Sequence, residues 1–165
     1  MSVSPALRLA SLHLVRCSGF VPDQFAVPDR LVADRFVLEP LGPQHSQADY
    51  TAWTTSVEHI RATPGFGGRS WPTEMSLQQN TEDLIRHQQD FLAGRGFAYT
   101  VLDPGSRQVI GCVYLYPPQR PGTDVEVRSW VRADRADLDV QLWRAVSEWL
   151  RDQWPWTAPD YAARP

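Results

Sequence analysis

The sequence contains no lysine, and all sixteen of its basic residues are arginine. A chain without lysine has no Schiff-base or pyridoxal-phosphate anchor, no Walker-type phosphate loop and no lysine general base. Cysteine is almost as scarce, since only Cys17 and Cys112 are present. Two cysteines make no disulfide framework, and no residue spacing resembles a zinc site. We therefore expect no metal site and interpret both cysteines as reduced thiols.

Long apolar runs and an excess of positive charge are also missing. The apolar run at residues 12–15 is interrupted by His13 and is too short for a signal peptide. Sixteen basic against nineteen acidic residues give a net charge of −3, which argues against partnership with nucleic acid or an anionic membrane. Seven tryptophans and a charged fraction of 21% exclude a disordered chain. The composition predicts a soluble, acidic, cytoplasmic protein.

One domain is expected for 165 residues. Residues 1–28 show no sustained hydrophobic period and are interpreted as a loosely ordered N-terminal arm, which leaves residues 29–165 as a single domain. Residues 34–41 alternate polar and apolar side chains, which predicts a half-buried strand stopped by prolines. Residues 45–60 carry apolar side chains three and four positions apart, which predicts a helix or a pair of helices.

The second half of the chain has clearer boundaries. A helix is predicted to start at a cap formed by Asn80 or Thr81 and to end at Gly94. Three strands are predicted next, at residues 97–103, 109–116 and 124–132. A last helix follows at residues 137–153, and residues 154–158 leave room for one further strand. This order of elements predicts an α+β domain with a mixed, mainly antiparallel sheet flanked by helices.

Three stretches of this sequence resemble one family in particular. Residues 30–41 form an Arg-x-x-Leu-rich strand that ends in Pro-Leu, and residues 97–115 form a hairpin whose second strand contains Ile-Gly. Residues 124–131 read Asp-Val-Glu-Val-Arg-Ser-Trp-Val, close to a common strand pattern of that family. Together they resemble the GNAT superfamily of acyl-CoA-dependent N-acetyltransferases, in the branch of the ribosomal-protein N-terminal acetyltransferases.

The resemblance implies a fold, a co-substrate and a set of site residues. The strand at 124–131 would splay from the next strand, pantetheine would lie in the gap, and the following helix N-terminus would take the CoA phosphates. Acetyl-CoA would donate an acetyl group to an amine, either a small molecule or a peptide N-terminus. Glu126 would be the general base and Tyr161 the general acid to the thiolate. The implied cofactor-binding residues are Trp130, Val131, Arg132, Arg135, Leu138, Asp139 and Val140.

The sequence departs from the family pattern in two places. The phosphate loop of the family is rich in glycine, whereas residues 132–140 contain none, and Asp137 or Asp139 is expected to cap the helix there. Arginine side chains at 128, 132 and 135 are expected either to replace the glycines or to form a solvated rim. Only twelve residues follow Gln153, so the fold is expected to be shortened at its C-terminus.

Two functional interpretations therefore remain open. The chain is either an N-acetyltransferase or a catalytically degenerate GNAT-like binding or regulatory module, and Glu126 is either its base or an ordinary strand carboxylate. The histidines at 45, 59 and 87 have no metal spacing and are interpreted as helix-surface residues. Burial in an apolar strand is expected to raise the pKa of Cys112 and leave it unreactive. The oligomeric state is undetermined by sequence, with a homodimer as one possibility.

Overall fold

Residues 19–165 are described by the computed structural model, and they form one six-stranded sheet with helices on both faces. The strands are β1 (Leu31–Val32), β2 (Val37–Pro40), β3 (Phe97–Leu102), β4 (Val109–Tyr116), β5 (Val125–Val131) and β6 (Pro159–Tyr161). The helices are α1 (Ser46–Thr54), α2 (Val57–Ala62), α3 (Leu77–Ala93) and α4 (Asp139–Gln153), with short 3-10 segments at Pro43–His45 and Ala133–Leu138.

The strands follow chain order across the sheet, from β1 to β6. Each neighbouring pair is antiparallel except β5 and β6, which are parallel because α4 crosses over between them. This arrangement confirms the predicted α+β class with a mixed, mainly antiparallel sheet. The helix pair expected in residues 45–60 is present as α1 and α2.

Two predicted boundaries were wrong. Helix α3 begins earlier than expected, because Ser76 and Gln79 form a capping box. The Ser76 hydroxyl accepts a hydrogen bond from the amide of Gln79, and the Gln79 side chain accepts one from the amide of Ser76. Asn80 instead lies inside the helix and accepts a hydrogen bond from the indole Nε1 of Trp53 at 3.0 Å. The last strand lies at Pro159–Tyr161 rather than at residues 154–158.

The displaced last strand has a packing reason. Trp154 and Trp156 stack with ring centroids 4.7 Å apart and planes 9° apart. Both indoles are largely buried in the core. The two indoles therefore pack against the sheet through their side chains, and only the residues that follow them form main-chain hydrogen bonds with β5.

The sheet separates two apolar cores, because successive side chains of a strand point to opposite faces. Val127 and Val131 of β5 face α4 together with Leu142 and Val146. Trp130 of β5 belongs to the other core, with the side chains of α1, α2 and α3. Even-numbered positions of β5 therefore face α1 and α3, and odd-numbered positions face α4.

Residues 19–28 belong to this packed structure, which corrects the expectation of a loosely ordered arm for that part. Val21 is 5% exposed within the core under α4. The hydroxyl of Tyr99 donates a hydrogen bond to the carbonyl of Pro28, and Trp156 donates one to the carbonyl of Phe20. The rest of the predicted arm, with Cys17, lies outside the described residues.

None of the described helices is long and apolar enough to cross a membrane. The part of the chain from residue 19 onward also holds no group of three or more His, Cys, Asp or Glu side chains arranged to bind a metal ion.

Candidate functional site

Strand β5 has an open edge at its C-terminal end. Its partner β6 accompanies it only from Val125 to Val127, while β4 pairs with it as far as Val131. The amide of Arg132 donates to the carbonyl of Ile110 on the β4 side, so the main chain of Val131 points to the opposite, open side. A main-chain donor and acceptor edge of this kind suits a ligand that carries amides of its own.

The 3-10 segment Ala133–Leu138 joins this open edge to the start of α4. The N-cap residue Leu138 makes no side-chain capping bond, and the carboxylate of Asp139 bonds to a guanidinium rather than to the helix amides. The cap that the sequence predicted from Asp137 or Asp139 is therefore not formed. Asp137 pairs instead with Arg35, at 2.8 Å. The positive end of the α4 dipole is thus free of a capping side chain.

Arg164 fills part of the gap between β5 and β6. Its side chain is 1% exposed and donates to the Ser129 carbonyl at 3.0 Å and to Asp139 at 2.7 Å. It also donates to the carbonyls of Pro64 and Ala162. The guanidinium therefore joins the open strand edge to the first turn of α4. Sequence analysis missed this residue, because a lone arginine near the end of a chain carries no local signal.

Tyr161 lies beside the same gap. Its hydroxyl is 2.5 Å from the hydroxyl of Ser129, and its ring lies under the guanidinium of Arg164 at 5.7 Å. Burial raises the pKa of the Tyr161 phenol, so the side chain keeps its proton at neutral pH. The structure therefore brings together Tyr161 and Asp139, two of the residues predicted for the site, through Ser129 and Arg164.

The arginines expected to replace the glycine loop are already paired with acidic side chains. Arg132 contacts Asp134 at 2.7 Å, and Arg135 lies 3.5 Å from Asp103. Leu138, which the resemblance placed among the cofactor-binding residues, is fully buried in the core. Val140 is half-buried in the first turn of α4.

Glu126 lies on the other face of the sheet from Tyr161. Its carboxylate is buried and lies 3.3 Å from Arg69 and 3.2 Å from Arg128. On the same face Trp130 is buried, and its indole Nε1 donates to the hydroxyl of Tyr114 at 3.1 Å. The structure thus places the predicted base and the predicted acid on opposite sides of β5.

A cavity of about 370 Å³ opens on the face that carries Glu126. It lies between α1, α3 and strands β4 and β5. Its lining combines aromatic rings with charged and polar groups, including Asp49, Trp71, His87, Tyr114, Tyr116 and Arg128. This size and mixture of walls are typical of a small-molecule site.

A chain of three hydrogen-bonding side chains runs along one wall of the cavity. The Tyr116 hydroxyl donates to Asp90 at 3.1 Å and lies 2.6 Å from Nδ1 of His87. Since the single phenol proton goes to the carboxylate, His87 donates from Nδ1 and keeps the lone pair on Nε2. Burial lowers the pKa of His87 to about 4. The imidazole is therefore a neutral acceptor at pH 7, rather than the surface histidine that the sequence suggested.

The floor of the cavity contains a buried polar pair. The Cys112 thiol donates to Asp49 at 3.4 Å, and Asn80 donates to the same carboxyl group at 3.1 Å. Burial raises the pKa of both Asp49 and Cys112. The expected rise in the pKa of Cys112 is confirmed, and the thiol is a poor nucleophile here.

The fold defined by this sheet, with β5 and β6 parallel but parted at one end, is that of the GNAT acetyltransferases. No protein-family model and no curated protein matches the chain in sequence. Solved structures of similar fold include a Bordetella pertussis protein assigned to the GnaT family of acetyltransferases. It is 19% identical with a TM-score of 0.54, over 76% of this chain and 75% of that one.

Two further solved structures of similar fold are acetyltransferases. The microcin C7 self-immunity acetyltransferase MccE, in complex with acetyl-CoA and AMP, has a TM-score of 0.58 at 12% identity, over 79% of this chain and 69% of that one. A Salmonella typhimurium acetyltransferase that modifies the N-terminal serine of ribosomal protein L7/L12 has a TM-score of 0.56 at 10% identity, over 73% and 67% of the two chains. Identities this low establish the fold alone.

Proposed function

We propose that the chain is an N-acetyltransferase that moves an acetyl group from acetyl-CoA to an amine. The observation that carries the proposal is the open edge of β5 followed, after one short 3-10 segment, by the start of α4, which has no side-chain cap. Main-chain groups at Val131 suit the amides of pantetheine. The first turn of α4 has no side-chain cap, and its amides beyond Asp139, whose own amide donates to the carbonyl of Ala136, suit phosphate. The acetyl-CoA complex of MccE, a protein of similar fold, supports the choice of co-substrate.

The amine would enter from the cavity on the opposite face of β5. Glu126 lies on that face, paired with Arg69 and Arg128, and remains our candidate for the base that takes a proton from the ammonium through water. Tyr161 lies on the α4 face and, with its proton retained, remains the candidate acid for the departing thiolate. Cys112 takes no part, because its thiol is buried and bonded to Asp49. The transfer is then direct, from thioester to amine, without an acyl-enzyme.

A second function is favoured by one specific observation. Arg164 bonds the Ser129 carbonyl on the open edge and the Asp139 carboxylate at the helix start, which are both positions that acetyl-CoA would need. The missing glycines and the paired arginines at 132 and 135 point in the same direction. A GNAT-like binding or regulatory module that no longer transfers acetyl groups accounts for these features.

Release of free CoA thiol from acetyl-CoA, measured against a panel of small amines and short peptides, distinguishes the two functions. Turnover with at least one amine supports the enzyme, and no turnover with the whole panel supports the binding module. In the active case, Glu126→Gln is expected to lower turnover by about 100-fold or more, as loss of a general base does, with little change in acetyl-CoA affinity. Glu148→Gln, on the far helix α4, is the matched control and keeps wild-type turnover.

A further inference from the structure

The cavity beside β5 carries one positive group that its neighbours do not neutralise. Arg128 shares the single carboxylate of Glu126 with Arg69, so two guanidinium groups face one negative charge. The other acidic side chains on the walls have partners of their own. Asp83 pairs with Arg86, and Asp90 pairs with Arg95 at 3.0 Å.

The Arg128 guanidinium is held in position by aromatic rings. Its central carbon lies 5.7 Å from the ring of Phe66 and 6.0 Å from the ring of Tyr114. Only its Nε approaches Glu126, and within residues 19–165 no group accepts a hydrogen bond from Nη1 or Nη2. A planar guanidinium with two unbonded nitrogens in a cavity is suited to bind a carboxylate through two parallel hydrogen bonds.

His87 offers a hydrogen-bond acceptor in the same cavity. Nδ1 is taken by the Tyr116 hydroxyl, which leaves Nε2 with a lone pair, and no described residue donates to it. A neutral imidazole fixed in this tautomer by Tyr116 and Asp90 accepts a hydrogen bond from a ligand N–H. The cavity therefore offers an acceptor and an anion-binding fork to one ligand.

We propose that this cavity binds an amino acid, with Arg128 holding the carboxylate and Nε2 of His87 accepting a hydrogen bond from the amine. The proposal rests on the proposed function only in taking this ligand to be the acetyl acceptor. It favours a free amino acid over a peptide N-terminus, because a peptide has no carboxylate next to its amine. The aromatic walls at Phe66, Trp71 and Tyr114 make apolar or aromatic side chains the best fit.

Direct binding measurements test the proposal separately from catalysis. The twenty L-amino acids are titrated into the protein, with and without acetyl-CoA, and tryptophan fluorescence reports occupancy because Trp71 lines the cavity. Each amino acid that binds is compared with its decarboxylated amine and with a tripeptide that begins with it. We expect both to bind at least about tenfold more weakly, since a charge-assisted bond is lost.

Variants then assign the carboxylate contact to one side chain. Arg128→Gln is expected to weaken amino-acid binding by about tenfold or more and to abolish the difference between the amino acid and its amine. Arg128→Lys keeps the charge without the fork and is expected to be intermediate, which guards against a folding defect in the first variant. Arg86→Gln is the matched control, because Arg86 lines the same cavity but already pairs with Asp83, and it leaves both affinities unchanged.

The outcomes separate this proposal from the proposed function. Binding that needs the carboxylate and Arg128 supports the amino-acid site, even where no acetyl transfer is detected. Equal binding of the amino acid, its amine and its tripeptide overturns it, and so does equal loss in the Arg86→Gln control. Failure of all twenty amino acids to bind in either condition also overturns it, whatever the thiol-release assay shows.

Discussion

Lowering the pH from 7 to 5 is expected to destabilise the protein through His87. Burial is the main reason that the folded-state pKa of His87 falls from 6.5 to about 4. Asp90 opposes the shift, and Arg86 and Arg128 add to it. Between these two pKa values the unfolded chain binds a proton that the folded chain refuses, so stability falls as the pH falls from 6.5 towards 4.

The size of the effect follows from the two pKa values. One pKa unit corresponds to about 1.4 kcal/mol, so the full shift amounts to about 3 kcal/mol, of which about 2 kcal/mol is lost by pH 5. Burial raises the pKa of Asp49, which acts in the opposite sense, so the wild type alone does not isolate the histidine. A comparison with His87→Gln does, because every other titrating group is retained.

Urea unfolding at pH 7 and pH 5, followed by tryptophan fluorescence, measures this difference. The wild type is expected to lose about 2 kcal/mol more than His87→Gln between the two pH values. Tyr116→Phe removes the hydroxyl that accepts from Nδ1 of His87 but keeps the burial, so it should cost about 1 kcal/mol at both pH values and preserve the pH dependence. Equal pH dependence in the wild type and His87→Gln would refute the reasoning.

Two further predictions concern packing and the gap beside β5. Gly111→Ala places a Cβ 1.9 Å from the main-chain oxygen of Trp130, which is expected to force β4 and β5 apart. Urea unfolding should show a loss of about 2 kcal/mol or more in the free energy of unfolding. Gly67→Ala has open space around its Cβ, so it is the control and should cost less than about 1 kcal/mol. The pair Arg164→Met with Asp139→Asn removes the guanidinium and the carboxylate together, which avoids an unpaired buried charge. It is still expected to lower the melting temperature by several degrees, because the carbonyls of Ser129, Pro64 and Ala162 lose their donor, while acetyl-CoA binds more tightly. Weaker binding in calorimetry would mean that Arg164 belongs to the site rather than blocking it.

Local patterns were enough to predict most of the sheet. The apolar run between a turn and Pro117-Pro118 placed β4 at Val109–Tyr116 without error. The predicted β3 differs from the structure by one residue at its C-terminal end, and the predicted β5 by one residue at each end. These strands are buried on both faces, so their limits coincide with the turns between them. The start of α3 was misplaced because Asn80 is a residue typical of helix caps. Its side chain instead accepts a hydrogen bond from Trp53, 27 positions away in the chain.

The site was less accessible to sequence reasoning, because its key contacts join distant parts of the chain. Arg164 meets Ser129 and Asp139 across 35 and 25 positions, and no local pattern signals such a pair. His87 differs from a surface histidine through burial and through Tyr114 and Tyr116 of β4, which lie 27 and 29 positions away in the chain. The predicted β5 lies within one residue of the structure at each end, and the predicted start of α4 within two, but the family resemblance gave no sign of the residues that fill the gap.

Calorimetric titration of the protein with acetyl-CoA tests the proposed co-substrate site most directly. We predict one molecule bound per chain, with a Kd within about 1 µM to 1 mM, the range of KM values typical of enzymes. Desulfo-CoA is expected to bind comparably, because the proposed contacts are with pantetheine and phosphate. No heat of binding for either molecule at several millimolar would contradict the assignment of the β5 edge and the α4 start as an acyl-CoA site.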